Sequence, residues 1–416
     1  MSYLQQIKNY IPQISDEFKL SCEATVSLNE MRDAMKSMKK GKSPGSDGLT
    51  LEFFIQFWEI LEQPFFLMLQ ECIKNGTMTP TMKQGVISLI PKPDKDVTII
   101  DNWRPITLLN FDYKLIASIF AKRLKQHLHY IINETQTGFM KGRHISCNTR
   151  LVLDLIDYRD EIKSDAIILF LDFYKAFDTV KHQFLINSLE AFGFPSKLIN
   201  IVQMLYKEID SCIILNSRTS PRFPVLRGIR QGCPLSPFLF LFVVETLSID
   251  ILHNDNFAGL DIFNREIRIS QLADDTTLFL KDKEQVSPVL TTINAFSNAS
   301  GLKLNLSKCE IICLFDTVET EIENIPIKNE VKYLGIHITK NLISRQFLNF
   351  SQRLLKTKYI FNNWLQRDLS ILGRVFLSKT EGLSRFVYPS LSLAVDNHTS
   401  KNIDKIFLDF IWSNES

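Results

Sequence analysis

Apolar positions along this chain change period several times, and each change predicts a different element. From Ser27 the spacing is helical, with Met31, Met35 and Met38 on one face. Ser27 and Glu30 form a capping-box pattern at the start. Phe53, Phe54, Phe57 and Trp58 predict a second helix and read as core rather than as a stacking platform. Pro64 opens a third helix and Gly76 closes it. Val86–Ile90 reads as a short strand running into Pro91-Lys92-Pro93. Residues 112–132 predict a long amphipathic helix with Leu115, Ile116, Ile119, Leu124 and Leu128 inward. A Gly-containing loop over Gln136–Arg143 precedes a helix ending near Lys163.

The second half alternates more. Ala166–Leu171 is a continuous apolar run, the pattern of a strand buried on both faces, and Asp172 follows it directly. Helices over 182–192 and 196–207 and a strand pair over 211–226 lead to Arg227–Pro237. Two glycines and two prolines there fix an unusual backbone path. An apolar helix runs from Phe238 to near Ile251. Ile267, Ile269 and Leu272 on one side of Asp274-Asp275, and Thr277–Leu280 on the other, read as a hairpin with both aspartates at the polar step. A helix from Glu284 to Ser300 closes at Gly301, and strands follow at Glu310–Leu314 and Lys332–Ile338. From 344 onward the chain is helical. Phe347, Phe350, Leu354, Phe361 and Leu365 keep the spacing, and Arg345, Arg353, Lys356 and Lys358 supply basic faces.

Composition narrows this. The chain has 416 residues, 45% hydrophobic and 23% charged, which suits two or three packed subdomains rather than a disordered chain. The net charge of +2 predicts no polyanion partner by itself. Its distribution is uneven: from Lys340 onward 11 Lys+Arg face 6 Asp+Glu. A basic tail on a mildly acidic body suits a clamp on a phosphate backbone. Seven cysteines without a Cys-x-x-Cys argue for free thiols in a reducing compartment. The N-terminus reads as neither signal nor presequence, and the longest apolar run, Phe238–Val244, is too short for a bilayer. A soluble, intracellular protein with no membrane partner is expected, cytoplasmic or nuclear.

Three features carry chemistry. Gly41-Lys42-Ser43 resembles a phosphate loop but has Lys36 where that loop needs glycine, so only a rigid turn able to offer amides to a phosphate remains. Lys92 and Arg104 lie beside prolines. Stiff cations suit a triphosphate, and an ordinary surface salt bridge explains them equally well. Asp178 reads as a cap for the helix after it. Asp172 is harder to explain, because a carboxylate ending a buried strand is costly unless paired or bound to metal. Together with Asp274 and Asp275 it describes an oxygen-ligand site for magnesium with positions left open for phosphates. Two such ions serve in-line nucleotidyl transfer.

The ordered set resembles a reverse transcriptase of the non-LTR retrotransposon (LINE) type. The matching stretches are Gly41–Gly48, Leu89–Lys92, Asn102–Ile106, Thr135–Arg143, Phe170–Asp178, Arg227–Pro237, Leu272–Asp275, Asn305–Lys308 and Tyr333–Gly335. The resemblance implies an α+β right-hand polymerase with fingers, a palm carrying an antiparallel sheet, and a helical thumb. It places an N-terminal extension at 1–26, fingers with the start of the palm at 27–165, palm at 166–340, and a shortened thumb or connector at 341–416. The implied activity is RNA-directed DNA polymerisation, with an RNA template, a DNA primer and dNTPs as partners. Two magnesium ions, or manganese in their place, would sit on Asp172, Asp274 and Asp275, with Asp275 the less direct ligand. Lys308 matches a general acid for pyrophosphate. Lys92, Arg104, Phe173, Phe177, Gln231 and Gly232 match the nucleotide site, with Phe177 at the position that excludes a ribose 2′-hydroxyl. Arg230, Lys141, Arg143, Tyr333, Leu334 and Gly335 match primer or template contacts, the last three as the primer grip.

Three positions depart from the pattern: Leu272, Tyr174 and Ser46, none of them a ligand. Full-length relatives carry an endonuclease, and often a Cys/His knuckle, that these 416 residues lack, so a truncated copy unable to nick its own target is expected. Two other readings stand beside the polymerase. One is an idle remnant that only binds RNA. The other is a group II intron-type maturase, which the Phe-Tyr-Lys-Ala-Phe-Asp form of 173–178 and the missing endonuclease tail disfavour.

Overall fold

The computed structural model describes residues 2–93, 95–162 and 165–413; the helix end expected near Lys163 and the last three residues lie outside them. The chain forms two units. The first gathers Met1–Lys141, Phe173–Asp255 and Val289–Asn305, and the second Gly142–Asp172, Asn256–Pro288 and Leu306–Ser416.

In the first unit the helix Leu28–Lys36 starts as the sequence implies, with both halves of the capping box formed at Ser27 and Glu30. Glu30 also accepts from Arg123 at 2.7 Å, and the buried Arg123 guanidinium donates to the carbonyls of Ser21 and Ala24. The N-terminal segment is thereby fastened to the long helix Phe111–His127. Pro64 does not open a helix. One helix runs from Trp58 through Pro64 to Asn75, and Gly76 closes it in the left-handed region. An internal proline costs about 3 kcal/mol. Packing overrides that cost here, because Trp58 and Phe65 both close on Phe111, which also stacks on the buried Phe54 at 4.0 Å. Phe53 and Phe57 stay exposed, so the aromatic group is only partly core.

A sheet centred on Gln84–Pro91 pairs antiparallel with Trp103–Leu109 and parallel with Asp210–Leu215. The helix Ser236–His253 supplies the apolar centre of this unit. It is longer than the sequence suggests, and by length and composition it could cross a membrane, but 72% of its span is buried in the protein. That is the signature of a core helix.

The second unit is built on a four-stranded antiparallel sheet, in the order Ile269–Leu272, Asp275–Leu280, Ile167–Leu171, Glu310–Cys313. Every residue of Ile167–Leu171 is buried, as its unbroken apolar run requires. Phe170, Phe279 and Ile312 pack with Val152 and Ile156 of the helix Ile145–Asp157. The predicted strand at 332–338 is a hairpin, Glu330–Tyr333 with Ile336–Thr339. The tail is helical, but its faces differ from the expectation. Arg345 is buried, paired with Asp157 at 2.8 Å and bonded to the Thr339 carbonyl, so it is a structural cation rather than part of a basic face. On the helix Leu342–Leu365 the buried line runs through Phe350, Thr357 and Phe361, leaving Phe347 in solvent.

Candidate active site

The central strand and the hairpin strand decide where the carboxylates go. Leu171 pairs with Thr276, so one more step along the antiparallel ladder sets Asp172 across from Asp275. On the other side of the hairpin Leu272 pairs with Asp275, which leaves Ala273 and Asp274 as a two-residue turn. The aspartates therefore do not share the turn: Asp274 lies in it and Asp275 opens the strand. Ala273 has φ +55° while Asp274 stays outside that region. Positive φ at the first turn position alone is the II′ pattern, which fits the twist of paired strands and normally takes glycine. The buried Asn148 fastens the hairpin from behind. Its Nδ2 donates to Ser270 Oγ and to the Gln271 carbonyl, both at 2.9 Å. Sequence reasoning missed Asn148; its one signal is a lone amide on a helix face otherwise made of Val152, Leu155 and Ile156.

Crowding three carboxylates has an electrostatic consequence. Burial first, then Asp172, holds the Asp274 carboxyl above the usual range. Asp275 is pushed up to about 7, by burial, then by Asp274, then by Asp172. Asp275 keeps an open path to solvent although protein surrounds it at longer range. Like charges held together raise each other's pKa, and a cation removes that penalty. Among the described residues no three His, Cys, Asp or Glu side chains close around an ion by themselves. Carboxylate oxygens are the donor type that a magnesium-like cation takes when substrate oxygens supply its remaining positions.

Nearby, Lys308 is exposed at the end of the short turn Leu306–Lys308, and Cys309 follows it. The Cys309 thiol, buried and beside Asp172, is pushed up to about 11, mostly by burial. Tyr333 does not face outward. It is buried, with its ring 5.1 Å from Phe170 under the sheet. The Tyr333 ring is therefore a core anchor, and the turn beyond it carries the accessible groups. Leu334 and Gly335 both have positive φ, a I′ turn, and the Tyr388 hydroxyl donates to the Leu334 carbonyl. Beside this turn a cavity of about 230 Å³ is lined by Lys332, Gly335, His337, Arg353, Lys356 and Arg385. Arg143 belongs to this unit and is half-buried.

The other candidates lie in the first unit. Arg104 is exposed and pairs across the sheet with Ile90, two residues before Lys92. Lys92 Nζ donates to the Asp101 carbonyl at 3.0 Å, while the Asp101 carboxylate holds Lys175 at 2.7 Å and accepts from Tyr174. Lys175 sits at φ +44°. Phe173 is buried, and Tyr174 next to it is exposed. Phe177 stacks on Phe240 at 4.2 Å and meets Phe139 edge-on, which fixes its ring. Lys141 is exposed.

Arg230 is tied inside the fold. It is buried, its guanidinium lies 5.0 Å above the Tyr113 ring, and it donates to the carbonyls of Lys83 and Asp210, where the parallel strands begin. These bonds make it a strut under the loop. Gln231 and Gly232 rest on the sheet edge: Thr107 N donates to the Gln231 carbonyl at 2.8 Å, and a Cβ on Gly232 would lie 2.4 Å from Thr107 O. Asp178 caps nothing. It lies inside the short helix Ala176–Thr179 and accepts from Gln231 Nε2 at 2.9 Å.

A sequence profile described as "Reverse transcriptase (RNA-dependent DNA polymerase)" matches residues 90–338, more than half of the chain. The chain is 29% identical to a Xenopus laevis protein named "Transposon TX1 uncharacterized 149 kDa protein", over 98% of this chain and 32% of that one. It is 29% identical to the Pol polyprotein of the R2 retrotransposable element of Popillia japonica, over 92% of this chain and 53% of the relative. It is 23% identical to the RNA-directed DNA polymerase of the mobile element jockey from Drosophila melanogaster, over 88% of this chain and 40% of the relative. The chain thus spans about a third to a half of the length of these relatives.

Proposed function

This chain belongs to the reverse transcriptase family, in its non-LTR retrotransposon (LINE-type) branch, with the α+β right-hand polymerase fold, and from that premise we propose that it copies RNA into DNA from a primer 3′-hydroxyl. The observation that carries this reading is the register that sets Asp172 opposite Asp275, with Asp274 in the adjoining turn.

Members of the family use divalent metal ions, and here Asp172, Asp274 and Asp275 would hold magnesium. When bound, such ions lower the pKa of an attacking hydroxyl and offset charge on the leaving pyrophosphate. The protein's own groups do the rest. The raised carboxyls of Asp274 and Asp275 would lose their mutual penalty on loading. Lys308, exposed beside the carboxylate strands, would give a proton to pyrophosphate. Lys92 and Arg104 would take the triphosphate, Phe173 and Gly232 would border the nucleotide, and Phe177, locked by Phe240, would stand against a ribose 2′-hydroxyl. Lys141 and Arg143 would meet template phosphates. The cationic cavity beside Leu334-Gly335 suits a nucleic-acid backbone. Residues 27–165 would then serve as fingers with the start of the palm, 166–340 as palm and 341–416 as thumb.

The test is extension of a DNA primer on an RNA template with dNTPs and magnesium. Asp172→Ala is expected to abolish it while leaving binding of the primer–template intact. Extension by that variant at the wild-type rate would exclude this site.

A further inference from the structure

Gln231 has an amide whose two ends carry opposite roles, and what holds it decides which end is offered to a ligand. A carboxylate accepts hydrogen bonds only. Asp178 Oδ1 lies 2.9 Å from Gln231 Nε2, so this contact engages the donor end of the amide and turns Oε1, the acceptor, away from Asp178.

The backbone around the pair is tied down from both sides. Ile229 N donates to the Phe177 carbonyl and Gly228 N to the Val180 carbonyl, each at 2.7 Å. Gly228 fits only because it has no side chain: a Cβ there would meet Asp178 O at 2.7 Å, at a φ of +84°. On the other side the Gln231 carbonyl accepts from Thr107 N, and Gly232 is pressed on Thr107 O. Arg230 anchors the same three residues to the strand starts at Lys83 and Asp210. With the backbone fixed at Arg230, Gln231 and Gly232, the remaining freedom is the side-chain amide, and Asp178 removes it.

Asp178 is not exposed enough for this contact to be incidental. Burial raises its carboxyl, and the Gln231 hydrogen bond is the first thing that opposes the rise, followed by the Lys175 ammonium. The pair therefore stabilises the charged carboxylate as much as it orients the amide.

We propose that Asp178 is a positioning residue for nucleotide selection: it sets the Gln231 amide so that an acceptor faces the incoming nucleotide. This rests on the polymerase reading above, and Asp178 itself touches no substrate. Asp178→Asn keeps the shape but supplies both a donor and an acceptor, so the amide of Gln231 loses its fixed sense. A merely structural Asp178 would tolerate that swap.

The experiment is steady-state incorporation of single dNTPs by wild type, Asp178→Asn, Asp178→Ala, Gln231→Ala and the double variant D178N/Q231A, each with a thermal melt. D178N is expected to raise KM for dNTP about tenfold with kcat within about threefold, to match D178A, and to add nothing in the Q231A background. D178N indistinguishable from wild type would overturn the inference. So would effects of D178N and Q231A that multiply. A D178N deficit that merely follows a lowered melting temperature and falls on kcat would overturn it as well. Wild type inert in extension would overturn the polymerase reading, and this inference with it; wild type active with D178N unchanged would overturn the inference alone.

Discussion

At the scale of single residues the carboxylates are crowded and partly desolvated, which raises the Asp275 carboxyl and makes pH a direct probe. Asp275 is pushed up to about 7 in the fold, against about 4 in an unfolded chain. Between those values the native state holds a proton that the unfolded chain has lost. Stability therefore falls as pH rises through this window and levels off above it. Asp275→Asn removes the penalty: it is expected to melt roughly 1–3 °C above wild type at pH 8 and together with it near pH 4, since solvent screening trims the effect of a group this open. Calorimetry at the two pH values checks the sign. Magnesium at pH 8 is expected to raise the wild-type melting temperature by binding the native state and to do so far less in Asp274→Ala. Equal shifts in both proteins would separate the ion from these carboxylates. Asp172 and the aspartate pair were legible as residue types in the sequence. Which of the pair occupies the turn was not, because that depends on a ladder that closes at Leu272 and Asp275 rather than one residue later.

At the scale of elements, apolar runs predicted the carboxylate-bearing strands well, since a strand buried on both faces leaves no polar alternation to misread. Helix boundaries were less legible. Pro64 signals a start, yet the cluster around Phe111 carries the helix through it. Buried polar residues were the least legible. Arg230, Arg345 and Tyr333 look from sequence like surface contacts, and each is instead a tie inside the fold. A basic residue read one at a time carries no sign of the carbonyls it will meet. Asn148 is the same lesson in reverse, a buried amide that fixes the hairpin. Asn148→Ala is expected to cost about 1–3 kcal/mol, because it removes the buried hydrogen bonds to Ser270 Oγ and the Gln271 carbonyl, and to slow catalysis with it; denaturant titration measures the first. Ala273→Val is expected to be the worse change, since a β-branched side chain tolerates positive φ poorly. Ala273→Gly should leave activity in place and match or exceed wild-type stability.

At the scale of the whole molecule, the even net charge hides a segregation that the structure refines. Arg353, Lys356 and Arg385 of the tail line, with Lys332, the cavity beside the Leu334-Gly335 turn, whereas Lys358 and Lys405 line another and Arg345 is buried in an ion pair. If this cavity takes nucleic-acid phosphates, replacing Lys332, Arg353 and Lys356 by glutamine should flatten the dependence of log affinity on log salt by about 2–3. An unchanged slope would move the backbone contact elsewhere. Order mattered more than any motif in making the family legible: Asp172, then the Arg230–Gly232 loop, then the aspartate pair, then Lys308 and the 330–339 hairpin. No physical rule of local structure links those stretches, and only the fold explains why they belong together.

The most direct measurement is single-turnover addition of one dNTP to a DNA primer on a defined RNA template, with magnesium, by wild type and by Asp274→Ala. Wild type should add the nucleotide complementary to the RNA. The variant should bind the primer–template with unchanged affinity and be slower by at least about a thousandfold, the loss of several kcal/mol of transition-state stabilisation. Equal rates in the two proteins, or addition that ignores the RNA sequence, would contradict a template-directed polymerase built on these three carboxylates.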